Sequence, residues 1–285
     1  MGSRVVAVGL AVLGTSAVVV TSAVARRDPK AAAEVPQHIR TRGTLIVASD
    51  ATYAPDEFVS ANGRGVVGMD ADLAHAIGEA LGLHVKVVNA TFDTIIPGLR
   101  SGKYDLGMSS FTDTKARQKV VDFVTYFSAG TSFYTKAIGG TAVTGLGSLC
   151  GLTVSLENGT TEQADAVAQS ARCKRAGKRA VAVLAFPDQN SANLAIASGR
   201  AQVGMADSPV ASYIVKRSKG QFKLTGTSYG TAPYGIAIPK GNGMARPVLD
   251  AVKVLMRDGS YAAILRRWGV AEGAISDPQI NGATG

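Results

Sequence analysis

The chain is 285 residues long, 46% hydrophobic and 18% charged, which allows one large core or two modest ones and excludes a chain too polar to fold. Its formal net charge of +9 sits in short, separate clusters, Arg26-Arg27, Arg172 with Lys174 and Arg175, Lys178-Arg179, Lys216-Arg217 and Arg266-Arg267, without the interleaved aromatics of a single-strand nucleic-acid binder. No nucleic-acid partner is expected, and solvated faces or attraction to an anionic cell surface account for the excess charge.

Residues 1–25 read as an export signal. Arg4 supplies the positive start, Val5 to Val24 is apolar with small polar interruptions, and Ala23-Val24-Ala25 fits a small-residue cleavage site. A single-span membrane anchor is the alternative, since roughly 20 apolar residues suffice to cross a bilayer. No cysteine lies near this junction, so no lipid attachment through cysteine is expected. Residues 26–40 read as a linker.

The folded part opens with Leu45 to Ala48, a continuous apolar run that predicts a strand covered on both faces and stopping at Ser49-Asp50. In "GMDADLAHAIGEALGL", Asp70 is the expected cap of a helix with Leu73, Ala76, Ile77 and Ala80 on one face. "HVKVV" follows as a strand, "FDTIIPGLRSG" as a helix ended by glycine, and "YDLGMSS" as a third strand. Strands alternating with helices imply a parallel sheet, and ligands bind such sheets outside the carboxyl ends of the strands. Asp50, Phe92 and Ser109 to Thr112 all fall near those ends. Arg117 then follows a cluster of hydroxyls, an arrangement that suits an anion.

The pattern repeats. "LTVSLENGTTEQADAVAQSA" predicts strand, turn and helix, "SANLAIASGRAQVGMADSPVASYIVKRS" helix, strand and helix, and "YGIAIPK" a returning strand. Two similar α/β lobes facing one another would enclose a cleft lined by strand ends. The only cysteines, Cys150 and Cys173, are expected to form a disulfide in an exported chain, two buried free thiols being the alternative. His38, His75 and His84 form no ligand-spaced cluster, so no metal and no cofactor are expected.

From Thr41 to Trp268 the chain resembles the extracellular amino-acid-binding proteins that serve ABC importers, which have the periplasmic binding-protein type II fold. "SDATYAP", "GMDADLAHAIGEALG", "FDTIIPGLRSGKYDLGMSSFTDTKARQKVVDF", "ENGTTEQ", "MADSPVA", "YGIAIPKG" and "DGSYAAILRRWG" carry the resemblance in order. It implies two lobes, 41–130 with 227–272 and 131–226, each a mostly parallel sheet flanked by helices, followed by a tail at 273–285. Crossing strands are implied near Ser128 to Thr131 and Gly226 to Tyr229, with hinge closure on the ligand. By the same resemblance Arg117 would fork onto the ligand's α-carboxylate, helped by Ser109, Ser110, Thr112 and, from the other lobe, Thr160 and Thr161. Asp207 would take the α-ammonium, and Tyr53 and Phe92 would sandwich the side chain. Read without the resemblance, Tyr53 and Phe92 are equally core residues, and Thr160 and Thr161 are helix caps.

Asp50 and Glu157 fall where this family meets the ligand's side chain, and two carboxylates there favour a cationic amino acid, with glutamine left open. Asp56 stands where the family carries an aromatic and would add a third acid to the pocket floor. The resemblance implies a monomer, exported, that partners a membrane permease and is not an enzyme. The alternatives are a cyclohexadienyl or arogenate dehydratase-like enzyme and a ligand-binding sensor, both on the same fold. No Ser-His-Asp set is present, and "GRGVVG" lacks the preceding strand of a nucleotide loop.

Overall fold

A computed structural model describes residues 27–283, with Gly2 alone ahead of them. The expected export segment therefore lies, apart from Gly2, outside the described residues. No helix among the described residues is long and apolar enough to cross a membrane.

The stretch read as a linker is instead two short helices, α1 (Pro29–Glu34) and α2 (Gln37–Arg42). Asp28 caps α1 by accepting from the Ala31 N–H at 2.9 Å, and Pro29 occupies the first helical turn, where its missing N–H costs nothing. Ala31, Ala32, Val35 and Ile39 are buried. That burial, spread one or two residues per turn, gave too weak a pattern to be read as an element.

Next come β1 (Thr44–Ser49), β2 (Thr52–Tyr53), β3 (Glu57–Val59), β4 (Val66–Val67), α3 (Met69–Leu81), β5 (His84–Asn89), α4 (Phe92–Arg100), β6 (Leu106–Gly107) and α5 (Lys115–Gln118). The long β7 (Val121–Lys136) leads to β8 (Thr153–Glu157), α6 (Thr161–Arg175), β9 (Ala182–Phe186), α7 (Gln189–Ala197), β10 (Val203–Asp207) and α8 (Ser208–Arg217). The equally long β11 (Phe222–Pro239) returns to α9 (Ala245–Asp258) and α10 (Ser260–Trp268).

One continuous sheet runs β5-β1-β6-β11-β7-β10-β8-β9. Its outer strands on each side are parallel, and β7 and β11 pair antiparallel down the middle. The half beyond β11 forms a first lobe and the half beyond β7 a second. In the middle, the β7–β11 register breaks between Thr225 and Tyr229 and again between Tyr229 and Ala232. Gly226 (φ +69°) and Gly230 (φ +65°) fall inside these two breaks, in the left-handed region open to glycine.

α3, α9 and α10 cover the first lobe over Leu45, Leu73, Ile77, Val252 and Leu265, while Phe133, Val154, Leu156, Met205 and Cys173 centre the second. Cys150 and Cys173 are joined by a disulfide, with Cα atoms 5.6 Å apart, tying α6 to the turn before β8. The expected C-terminal tail is held down: Ile280 bridges to Val124, and Asn281 Oδ1 accepts the Phe123 N–H at 2.9 Å.

Asp70 is not the cap of α3, a position held by Gly68. It lies within the first turn, fully buried, and accepts the Ser110 N–H at 2.9 Å and the Tyr126 hydroxyl at 2.7 and 2.8 Å. An acid in a first turn can serve the helix terminus, but here buried donors from other elements claim it.

Candidate functional site

The carboxyl ends of β1, β6, β8 and β10 converge where the lobes meet. Together with the starts of α4 and α6 they line one pocket between the lobes. Asp50, Tyr53, Phe92, Ser109, Ser110, Thr112, Arg117, Glu157, Thr160, Thr161 and Asp207, all expected from the sequence at a ligand site, line this one cavity. Glu57 and Glu162 line it too.

At one end, Thr114 caps α5 by accepting the Arg117 N–H at 3.2 Å and so orients the short helix that carries Arg117. The guanidinium lies 5.4 Å from the centroids of both Phe92 and Phe111, rings that stack 4.5 Å apart. Arg117 Nη1 donates to Thr112 O at 2.9 Å and Nη2 crosses the cleft to Gly159 O at 3.0 Å. It pairs with no protein carboxylate among the described residues. Burial pulls its pKa down, against the upward pull of Glu162 and Asp207. A cation held by carbonyls and ring faces, with no acid neutralising it, is suited to an incoming carboxylate.

Also on the cavity wall, Asp50 accepts Thr52 Oγ1 at 2.7 Å and the Phe92 N–H at 2.9 Å. Burial raises its pKa, with Asp188 adding to the rise. Glu157 at the end of β8 is pushed up to about 10 by burial first and by the charge of Asp50 next. Its Oε1 is buried without a partner. Asp207 ends β10 and accepts the Tyr53 hydroxyl at 3.1 Å, while its own N–H donates to that hydroxyl at 2.9 Å. Burial, then Glu162, holds Asp207 well above the usual carboxylate range.

Tyr53 and Phe92 are both core and lining: Tyr53 packs with Tyr134 and Val210 of the second lobe, Phe92 with Ile95 and Phe123 of the first. Thr160 likewise caps α6, accepting the Gln163 N–H at 3.2 Å, while facing the cavity.

Asp56 does not line the cavity, which corrects the expectation of a third acid in its floor. It lies behind the wall, fully buried, accepting Ser110 Oγ at 3.0 Å. Ser110 sits at φ +49° with that hydroxyl shared between Asp56 and, at 3.2 Å, Glu57. Glu57 was invisible in the sequence because β2 and β3 are too short for a period to show. Glu162, one residue inside α6, reads there as an ordinary first-turn acid, yet it is 2% exposed and accepts Thr131 Oγ1 at 2.6 Å.

Residues 45–271 match the model of the bacterial extracellular solute-binding proteins, family 3. The chain belongs to that family. Among family 3 relatives, the arginine-binding protein ArgT of Corynebacterium glutamicum is 31% identical over 254 residues, spanning 89% of this chain and 83% of that protein. An ancestral arginine-binding protein solved with arginine superposes with a TM-score of 0.72 at 36% identity, covering 80% of this chain and 98% of its own. An ancestral arginine-binding protein solved with glutamine gives 0.71 at 34%, covering 80% and 99%. This family 3 solute-binding protein thus has the two-lobed type II architecture that its motifs imply.

Proposed function

We propose that the protein is the extracytoplasmic amino-acid-binding component of an ABC importer, capturing a free cationic amino acid by hinge closure and handing it to a membrane permease. The observation that carries this reading is the charge layout of the cavity. Among the described residues one guanidinium and five carboxyl groups, Asp50, Glu57, Glu157, Glu162 and Asp207, line it. An amino acid with a cationic side chain offers one carboxylate and two cations, a match for that asymmetry. In this reading Arg117, with Ser109, Ser110, Thr112, Thr160 and Thr161, binds the α-carboxylate, Asp207 takes the α-ammonium, and Tyr53 and Phe92 flank the side chain that reaches Asp50 and Glu157. Arginine-binding relatives support the ligand class.

The lobes are proposed as 41–130 with 227–272 and 131–226, bending at the two breaks in the β7–β11 register. The chain acts as a monomer outside the cytoplasmic membrane and performs no turnover, so the dehydratase and sensor readings are set aside.

Calorimetric titration at neutral pH with arginine, lysine, ornithine, histidine, glutamine and glutamate tests the reading. A cationic amino acid should bind most tightly. A neutral or acidic ligand outranking all cationic ones would overturn the ligand class, and binding of none would overturn the function.

A further inference from the structure

Asp50 and Glu157 reach the same end of the cavity from opposite lobes, and each is 3% exposed. They line the same small cavity, and close by them in the chain Asn158 Nδ2 donates across the cleft to Asp93 Oδ2 at 2.6 Å. Asp50 has both oxygens engaged by first-lobe donors, whereas Glu157 keeps an unpartnered Oε1. The other charged groups facing the pair offer no relief. Asp188 at the head of α7 and Glu162 in the first turn of α6 add negative charge. Asp93 in the first turn of α4 is bonded across the cleft to Asn158 Nδ2 at 2.6 Å. Among the described residues Arg117 is the one cationic side chain lining the cavity, and its Nη atoms are committed to Thr112 O and Gly159 O.

Two carboxylates brought together in a dry site cannot both stay ionised unless a cation joins them. We propose that closure of this cleft requires one positive charge between Asp50 and Glu157, brought either by the ligand's cationic side chain or by a proton drawn from solvent, so that Glu157 makes rejection of neutral amino acids grow with pH. The inference rests on the amino-acid-binding reading above and goes beyond it by assigning the discrimination to a proton exchange. Charge balances on both routes: a cationic ligand closes the cleft over two carboxylates with no proton taken up, and a neutral ligand closes it over one carboxylate and one carboxylic acid. The upward push on Glu157, caused by burial and by Asp50, runs in the same sense.

The test is calorimetry with arginine and with glutamine, each in buffers of low and high ionisation enthalpy and across neutral to alkaline pH. Glutamine is expected to take up about one proton more than arginine on binding. This difference does not depend on the ligand-free cleft, which is common to both titrations. The ratio of glutamine affinity to arginine affinity should fall about tenfold per pH unit. In Glu157→Gln the proton difference should vanish and the ratio of the two affinities should lose its pH dependence. Asp50→Asn is the second variant, with the same expectation, and the wild-type titrations decide alone if either variant misfolds. Equal proton counts for the two ligands, or an unchanged difference in Glu157→Gln, would overturn the exchange while leaving amino-acid binding intact. Glutamine bound with arginine rejected would also overturn it. Binding of neither ligand would instead overturn the function on which it rests.

Discussion

At the Arg117 end of the cleft the lobes meet through a matched donor and acceptor, Arg117 Nη2 to Gly159 O at 3.0 Å. At the Asp50 end they meet through two carboxyl groups, one with an unpartnered oxygen. Satisfied polar groups can close a cleft over any ligand that fits, whereas like charges close it only over a compensating one. On the proposed reading the first end would recognise what all amino acids share, and the second would discriminate among them.

The largest effect should come from breaking the first end. Arg117→Ala is expected to weaken binding by about 2–5 kcal/mol for every amino acid alike, because the ligand carboxylate would be buried unpaired. Arg117→Lys should restore little, since a point charge replaces the planar fork. Calorimetry showing near-parental affinity in Arg117→Ala would remove Arg117 from the site.

Breaking neither end is a useful contrast. Removing the Cys150–Cys173 bridge by Cys150→Ser with Cys173→Ser should lower folding stability by about 3 kcal/mol, chiefly by freeing the unfolded chain. The bridge, at a sequence separation of 23, lies in the core of the second lobe and lines no part of the cavity. Denaturant unfolding should register the loss while the ranking of ligands stays put. A changed ranking would mean that the second lobe's rigidity shapes the Asp50 end.

The buried acids behind Ser110 offer a third comparison, since Asp56, Glu57 and Asp70 all belong to the first lobe. Burial lifts Asp70 from 3.8 to about 6, against the opposing hydrogen bonds from Tyr126 and Ser110. A carboxyl with a raised folded pKa contributes stability that is complete below its unfolded pKa and is lost as pH climbs through the folded one. Stability on the order of 3 kcal/mol should thus disappear between about pH 4 and pH 6. Thermal melts of the ligand-free protein should show this loss, and Asp70→Asn should flatten it. A melt of Asp70→Asn that parallels the parent would exclude Asp70 as its source.

The sequence made the alternating strands and helices legible because β1, α3, β8 and α6 are long enough to show a period, and the residues that line the cavity were legible because they sit at or near the ends of such elements. What escaped notice was short or internally satisfied. β2 and β3 span two and three residues, so Glu57 had no frame. The role of Asp70 depends on Tyr126, 56 residues away, which no local pattern reveals. The helices α1 and α2 reached the core through four small or singly spaced side chains. The continuity of the sheet across both lobes was likewise hidden, because it is made by the pairing of β7 with β11 over a separation of roughly a hundred residues rather than by either strand's own pattern.

The smallest effect concerns the hinge that both ends share. Gly226 lies at φ +69° inside a break in the β7–β11 register, and a Cβ there would meet Val143 O at 2.6 Å. Gly230, at φ +65° in the neighbouring break, has open space around it. Left-handed backbone costs a residue with a side chain about 1–2 kcal/mol, so Gly230→Ala should lower stability by about that amount, and Gly226→Ala by somewhat more, since a backbone carbonyl must also move. Either change alters the free energy of closing without touching the charges in the cavity. A ligand's apparent affinity scales with the fraction of protein able to close, so arginine and glutamine should weaken by the same factor and their ratio should hold. Paired titrations of Gly226→Ala and Gly230→Ala would read this directly. If the ratio moved, the bend of the β7–β11 ribbon, and not the carboxyl pair at the Asp50 end, would be setting selectivity.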